Sequence, residues 1–293
     1  YFEFLTIFSF WLFKEMGVDY IIIEVGIGGR LDTTNVIFRS PTVRVITDIG
    51  LDHTELLGNT LTEIAQEKAC IIHQSDLVVM NRQTPDIEVV VQQQTDAQHS
   101  QLSITSPVNS EFLKILPDFQ QRNWTLAYRA VEKRLALDKK PPLPKEVLKK
   151  SIHITIPGRL EKRIIDGVNI IFDVAHNPQK IRALIDSLRK LYPDKKPIFV
   201  VAFGQNKHSS LAESLAIIDN LAQLAYATTF SANYGKNHRN VPPETIQHLM
   251  KSAVEIEHNT DKALTKAIKK ARQLDTYVVV TGSFYLVSEF AAS

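Results

Sequence analysis

The chain has 293 residues, 44% of them hydrophobic, with 34 Lys and Arg against 32 Asp and Glu for a formal net charge of +2. That length exceeds one ordinary core and predicts two domains. The near-neutral balance, with no basic face, excludes a nucleic-acid partner, and the single cysteine, Cys70, excludes an internal disulfide framework and fits a reducing, cytoplasmic setting.

The opening residues, Tyr1 to Phe13, are rich in aromatics but too short to span a bilayer, and Glu3, Thr6 and Ser9 interrupt them. They also lack the basic start and cleavage site of a signal peptide. A helix from Tyr1 to Glu15, buried against a sheet, is therefore predicted, with no membrane partner. Because the chain begins at Tyr1, inside an ordinary helical pattern, it reads as a fragment.

Gly17 leads into a predicted strand, Tyr20 to Val25, which carries Glu24 into the turn Gly26-Ile-Gly-Gly-Arg-Leu-Asp-Thr-Thr-Asn35. A buried carboxylate at the carboxyl end of a parallel strand is tolerated only when paired, hydrogen-bonded or bound to a cation. Glu24 is accordingly a candidate metal or substrate ligand. At least two of the turn glycines are expected where φ must be positive. The run fails as a dinucleotide fingerprint because the third glycine position holds Leu31. Asp48, about twenty residues further on, nevertheless keeps a nicotinamide-dependent oxidoreductase as an alternative.

A second strand, Val43 to Ile49, runs into Gly50-Leu-Asp-His-Thr54, and a helix follows from about Leu61, with Thr60 and Glu63 spaced as a capping box. A third strand is expected over Asp76 to Met80. Both faces of such apolar, β-branched strands must be covered, as in a parallel α/β sheet. Glu24, Asp52, His53 and Lys68 are expected at one rim, where a carboxylate and an imidazole can hold Mg²⁺ in a site completed by nucleotide oxygens and water. Taken singly, His53 reads rather as a turn histidine and Lys68 as a surface lysine. Between Thr84 and Pro117 the pattern weakens into a helix and an irregular excursion. Asn123 to Leu137 is helical, Pro141-Pro-Leu-Pro144 stops it, and a short helix, Lys145 to Ser151, leads to the boundary at Ile156-Pro-Gly-Arg159.

In the second half, Asp166-Gly167 signals a type I′ hairpin between Glu161 to Ile165 and Val168 to Phe172. Alternating helices and strands then run to Tyr277–Thr281, which implies a second, mostly parallel α/β domain. In Phe172-Asp-Val-Ala-His-Asn-Pro178, Asn177 caps a helix whose first residue is Pro178. That leaves the Asp173 and His176 side chains for chemistry. Arg159 can reach a phosphate or form a rim ion pair. No Gly-x-x-x-x-Gly-Lys-Ser/Thr occurs, and Gly204-Gln-Asn-Lys-His-Ser209 has the wrong spacing for a phosphate loop.

Taken in order, residues 24–35, Ile49-Gly-Leu-Asp-His-Thr54, Glu67-Lys-Ala69, Pro157-Gly-Arg159, Asp173-Val-Ala-His-Asn-Pro178 and Gly282-Ser-Phe284 resemble the folylpolyglutamate synthase and dihydrofolate synthase family of Mur-type ligases. The resemblance implies a partial Mur-ligase-like, ATP-binding parallel-sheet domain (1–156) and a smaller Rossmann-like α/β ligase domain (157–293). Its implied reaction is ATP-dependent addition of L-glutamate to folate, or to dihydropteroate, through an acyl phosphate, in a cytoplasmic monomer. Glu24 and His53 match the family's Mg²⁺ ligands, and Lys68 a lysine carbamylated by CO₂. Asn123, Arg159 and Asp173 match ATP contacts, with Asp173 and His176 also at the reacting groups. Asp32, Ser283 and Tyr285 match the substrate side. The family's phosphate loop would lie upstream of Tyr1, which implies that this fragment alone is inactive, or a binding module. Cys70 replaces the usual glycine, and Asn206-Lys-His-Ser209 replaces a Lys-Asp-Lys-Asp run, which leaves Lys207 without an assigned role.

Overall fold

The computed structural model describes residues 1–36, 41–108, 110–205, 208–231 and 240–290; the segment around Lys207 lies outside them. The chain divides into two compact units, Tyr1–Ile152 and His153–Ser293, each with its own sheet.

In the first unit, β1 (Val43–Ile46), β2 (Leu77–Asn81) and β3 (Gln101–Thr105) form a parallel sheet in that order. Helices α3 (Leu61–Ala69) and α4 (Pro85–Ala97) and the short α2 (Thr54–Leu57) contribute to a core with Ile46, Ile64, Val78, Met80, Ile87 and Val91. α5 (Asp118–Leu137) also packs against the sheet strands, and α6 (Lys145–Ser151) closes the unit. β3 was hidden in the sequence because Gln101 and Ser103 interrupt its apolar pattern, yet it pairs with β2 over five residues. The capping box forms as expected: Thr60 Oγ1 accepts from the Glu63 N–H, and the Glu63 carboxylate accepts from the Thr60 N–H.

Two expectations fail here. Residues 20–25 form no regular element and pair with no strand among the described residues, so Ile22 is 97% exposed and Glu24 is an exposed rather than a buried acid. The segment is pinned elsewhere, since the Tyr20 hydroxyl donates to Asp138 (2.8 Å) just past the end of α5 and Lys140 lies over the Tyr20 ring. The opening helix, α1 (Phe2–Glu15), buries none of its side chains. Its aromatic and aliphatic residues surround the axis instead of forming one stripe, so no single face can satisfy them.

The second unit is a mixed six-stranded sheet in the order β4-β5-β9-β6-β7-β8, parallel except for the β4–β5 hairpin. β4 (Glu161–Ile165) and β5 (Val168–Phe172) turn at Asp166 and Gly167, with φ of 50° and 76°, the two positive values a type I′ turn needs. α7 (Pro178–Leu191), β6 (Ile198–Val201), α8 (His208–Asp219), β7 (Leu224–Ala227), α9 (Pro243–Leu249), β8 (Val254–Ile256), α10 (Thr260–Gln273), β9 (Val278–Thr281) and α11 (Phe284–Glu289) follow. α10 buries Ala263, Leu264, Ala267, Ile268 and Ala271, the i, i+1, i+4, i+5, i+8 positions of one face, in a core with β5, β6, β7 and β9. This places the carboxyl ends of β5 and β9 side by side.

Candidate active site

In the first unit the glycine-rich turn organises itself around Asp32. One carboxylate oxygen accepts from the Gly26 N–H (2.9 Å) and Ile27 N–H (3.1 Å), and the other accepts from the Thr34 N–H (2.9 Å) and hydroxyl. Burial alone would raise the Asp32 pKa, but the bonds from Thr34, Ile27 and Gly26 outweigh it and hold the carboxyl below its ordinary range. Asp32 therefore shapes, with both its oxygens, the turn that the resemblance puts on the substrate side.

Of the three glycines only Gly28 has positive φ (74°). Gly29 is required for proximity instead: a Cβ there would lie 2.5 Å from the Glu67 carbonyl oxygen and 3.1 Å from that of Lys68. The Arg30 N–H donates to the same Glu67 carbonyl (3.2 Å), and Asn35 donates to the Cys70 carbonyl (3.2 Å). Backbone contact thus seats the turn on the carboxyl end of α3, beside Lys68. Gly29→Ala is expected to lift the turn from that helix and destabilise the first unit by about 1–3 kcal/mol, read as a fall in the unfolding midpoint.

Lys68 is half-buried, and desolvation lowers its pKa, partly opposed by the Asp52 carboxylate. His53 caps α2 with φ 52°; its N–H donates to Asp52 (3.1 Å), and its ring lies 3.8 Å from Glu55 and 4.0 Å from Asp52. The structure thus associates Asp52, His53 and Lys68. Among the described residues no group of three or more His, Cys, Asp or Glu forms a metal cage. An exposed carboxylate on Glu24 and an imidazole on His53 still suit Mg²⁺, which is usually held by one or two side chains with substrate phosphates and water.

Asp48, the residue that sustained the dinucleotide alternative, is engaged at the end of β1. Arg122 donates to both its oxygens (2.7 and 3.1 Å) and to the Arg82 carbonyl, and Asn81 adds a third bond to Asp48. This bidentate pair ties the start of α5 to the sheet and sets the position of the exposed Asn123 next to it. Sequence reading missed Arg122. Its neighbour Asn123 was the only signal.

In the second unit the structure gathers Arg159, Asp173, His176 and Ser283 at the carboxyl ends of β5 and β9. The Val174 N–H donates to the Gly158 carbonyl (2.9 Å), and the Gly282 N–H donates to the Ala175 carbonyl (2.9 Å). Asp173 is 5% exposed; its two oxygens accept from the Leu160 and Ala175 N–H groups, each at 2.9 Å. Asn177 does cap α7, accepting from the Lys180 N–H (3.0 Å). Asp173 also has a structural role, because its carboxylate clamps the turn that carries Arg159 to the end of β5. Burial drives its pKa up against the pull of those bonds and of Arg159 and His176. Asp173→Ala would orphan two buried N–H groups, so a loss of about 2–4 kcal/mol is expected in thermal or denaturant unfolding, contrary to the expectation of a purely catalytic residue.

His176 is half-buried at the same corner, its Nδ1 2.9 Å from the Val174 carbonyl oxygen. Ser283 is buried and caps α11 by accepting from the Tyr285 N–H (3.1 Å), while the Tyr285 ring stacks on Phe230 at 5.5 Å. Arg159 is exposed on a turn opened by Gly158 at φ 68°. Ligands of open α/β sheets bind outside strand carboxyl ends, and this corner presents a guanidinium and an imidazole there.

Residues 7–157 match the Mur ligase middle domain and residues 158–284 the glutamate ligase domain of Mur ligases, so the fold is that of a Mur-type ligase. The folylpolyglutamate synthase of Lacticaseibacillus casei is 30% identical over 98% of this chain and 69% of its own length. The dihydrofolate synthase/folylpolyglutamate synthase of Buchnera aphidicola from Acyrthosiphon pisum is 30% identical over 99% of this chain and 71% of its own. Among solved structures, Mycobacterium tuberculosis folylpolyglutamate synthase complexed with ADP and AMPPCP superposes with a TM-score of 0.84 at 25% identity, covering 99% of this chain and 71% of that one. The chain belongs to the folylpolyglutamate synthase/dihydrofolate synthase family.

Proposed function

We propose that this protein adds L-glutamate to folate, as tetrahydrofolate, at the expense of ATP, with dihydropteroate as the second acceptor to be tested. The observation that carries the reading is the corner at the ends of β5 and β9, where the Asp173 carboxylate accepts from the N–H groups of Leu160 and Ala175, the neighbours of Arg159 and His176, within the domain similar to the Mur glutamate ligase domain.

In the first step a carboxylate oxygen of the pterin substrate attacks the γ-phosphorus of ATP, ADP leaves and an acyl phosphate forms. The glutamate amine then attacks the acyl carbon, phosphate leaves and the amine releases a proton. Little covalent work falls to the protein, which must place the reactants and offset charge. Arg159 supplies a guanidinium to the phosphoryl oxygens and His176 orients the reacting groups. Asn123 is assigned to the adenine, and Ser283 and Tyr285 to the glutamate side. The Asp32-centred turn shapes the pterin side. Glu24 and His53 would hold Mg²⁺, which when bound supplies charge neutralisation, and Lys68 would act as a carbamate.

The single cysteine supports a cytoplasmic location, and no helix among the described residues is long and apolar enough to cross a membrane. A monomer is the assigned state. The nicotinamide reading loses its support, with Leu31 in the third glycine position and Asp48 engaged by Arg122. ADP release that requires both a folate and glutamate is the expected result in the enzyme that carries this sequence; release that ignores both, or thermal protection by a nicotinamide nucleotide and none by MgATP, would overturn it.

A further inference from the structure

The first turn of α7 carries a cation where helix electrostatics disfavour one. Lys180 lies three residues past the cap Asn177, and no acidic residue shares that turn. Its ammonium Nζ is 3.1 Å from His176 Nε2, while His176 Nδ1 is 2.9 Å from the Val174 carbonyl oxygen. Both contacts bear on the imidazole's state. A carbonyl can only accept, so Nδ1 carries the proton; an ammonium can only donate, so Nε2 presents its lone pair. The i, i+4 spacing of the two residues across the helix start brings them together, and the Asn177 cap fixes the turn on which Lys180 stands.

We propose that Lys180 is a positioning residue for His176, holding its ring neutral, in the Nδ1-protonated form, in one orientation. His176 then offers no N–H from Nε2, and Lys180 brings a second cationic donor to this corner beside the Arg159 guanidinium. Anionic oxygen of a phosphoryl group meets the ammonium, with the histidine setting its place. The functional half of this assignment rests on the ligase reading above; the tautomer does not.

The test has two arms. Nitrogen-15 NMR of histidine-labelled protein without substrates is expected to show the Nδ1–H pattern for His176, loss of that fixed pattern in Lys180→Met, and its return in Lys180→Arg, whose guanidinium also donates. A melting temperature close to the parent's in each variant separates this from unfolding. Retention of the parent pattern in Lys180→Met overturns the proposal. In the second arm, turnover with MgATP, folate and glutamate is expected to fall about 10–100-fold in Lys180→Met, the usual effect of removing a group that orients a functional histidine, and to recover largely in Lys180→Arg. Unchanged turnover in Lys180→Met, despite a lost tautomer, refutes the functional half. If the parent enzyme shows no folate-dependent turnover while the tautomer responds as described, the ligase reading falls and the Lys180 assignment stands.

Discussion

His176→Ala is expected to lower kcat at least about a hundredfold, the scale for losing one preorganised polar group at a reacting centre, with stability changed by no more than about 1 kcal/mol. The ring is half-buried, with Nδ1 against the Val174 carbonyl and Nε2 against the Lys180 ammonium, and hydrogen bonds of such partly exposed groups lie at the low end of about 0.5–1.5 kcal/mol. Asp173, three residues earlier, is the opposite case: its buried carboxylate satisfies two N–H groups, so its removal acts through the fold. Steady-state kinetics and thermal unfolding on the same two variants separate these roles. Near-normal turnover with early melting in His176→Ala would make His176 a junction contact and remove it from the catalytic assignment.

Lys68→Ala is expected to abolish measurable turnover, and Lys68 to carry a carbamate in the active enzyme. Carbamylation needs the neutral amine, whose nitrogen attacks the carbon of CO₂ and releases one proton; desolvation on the end of α3 favours that neutral form. The product places a negative group near Asp52, and two neighbouring anions disfavour each other's charged form unless a cation offsets them. The modification and Mg²⁺ therefore support each other. A short carboxylic acid added to Lys68→Ala is expected to restore part of the rate, and mass analysis of the active MgATP complex to find the added CO₂ on the peptide containing Lys68. An unmodified lysine in a fully active complex would refute the assignment.

Local signals written within a few residues were legible. Asp166-Gly167, the Thr60/Glu63 box and Asn177-Pro178 each state their geometry in adjacent side chains, and all three form. Signals that depend on a distant partner were not. Residues 20–25 have every property of a buried strand, but a strand exists only through a neighbour's ladder, and Tyr20 is anchored to Asp138 instead. Gly29 looked like a residue chosen for its φ, whereas its reason is a carbonyl belonging to Glu67. Asp173 looked available because the helix start had its own cap; the competing claim came from Leu160, thirteen residues upstream. Arg122 carries no pattern of its own, and its bidentate hold on Asp48 appears only when α5 is laid across the sheet.

The hydrogen bonds joining Gly158 to Val174, Leu160 and Ala175 to Asp173, and Gly282 to Ala175 tie three separate stretches of chain together through residues 173–175. None of the three can be displaced without breaking a bond to another, so they behave as one stiff block. Amide exchange at Leu160, Val174, Ala175 and Gly282 should then report a single opening event with a common free energy, deep in the stability range of the unit rather than at its frayed end. Whatever rearrangement accompanies turnover must carry Arg159 and His176 as passengers of that block, with the flexing assigned to the chain outside it.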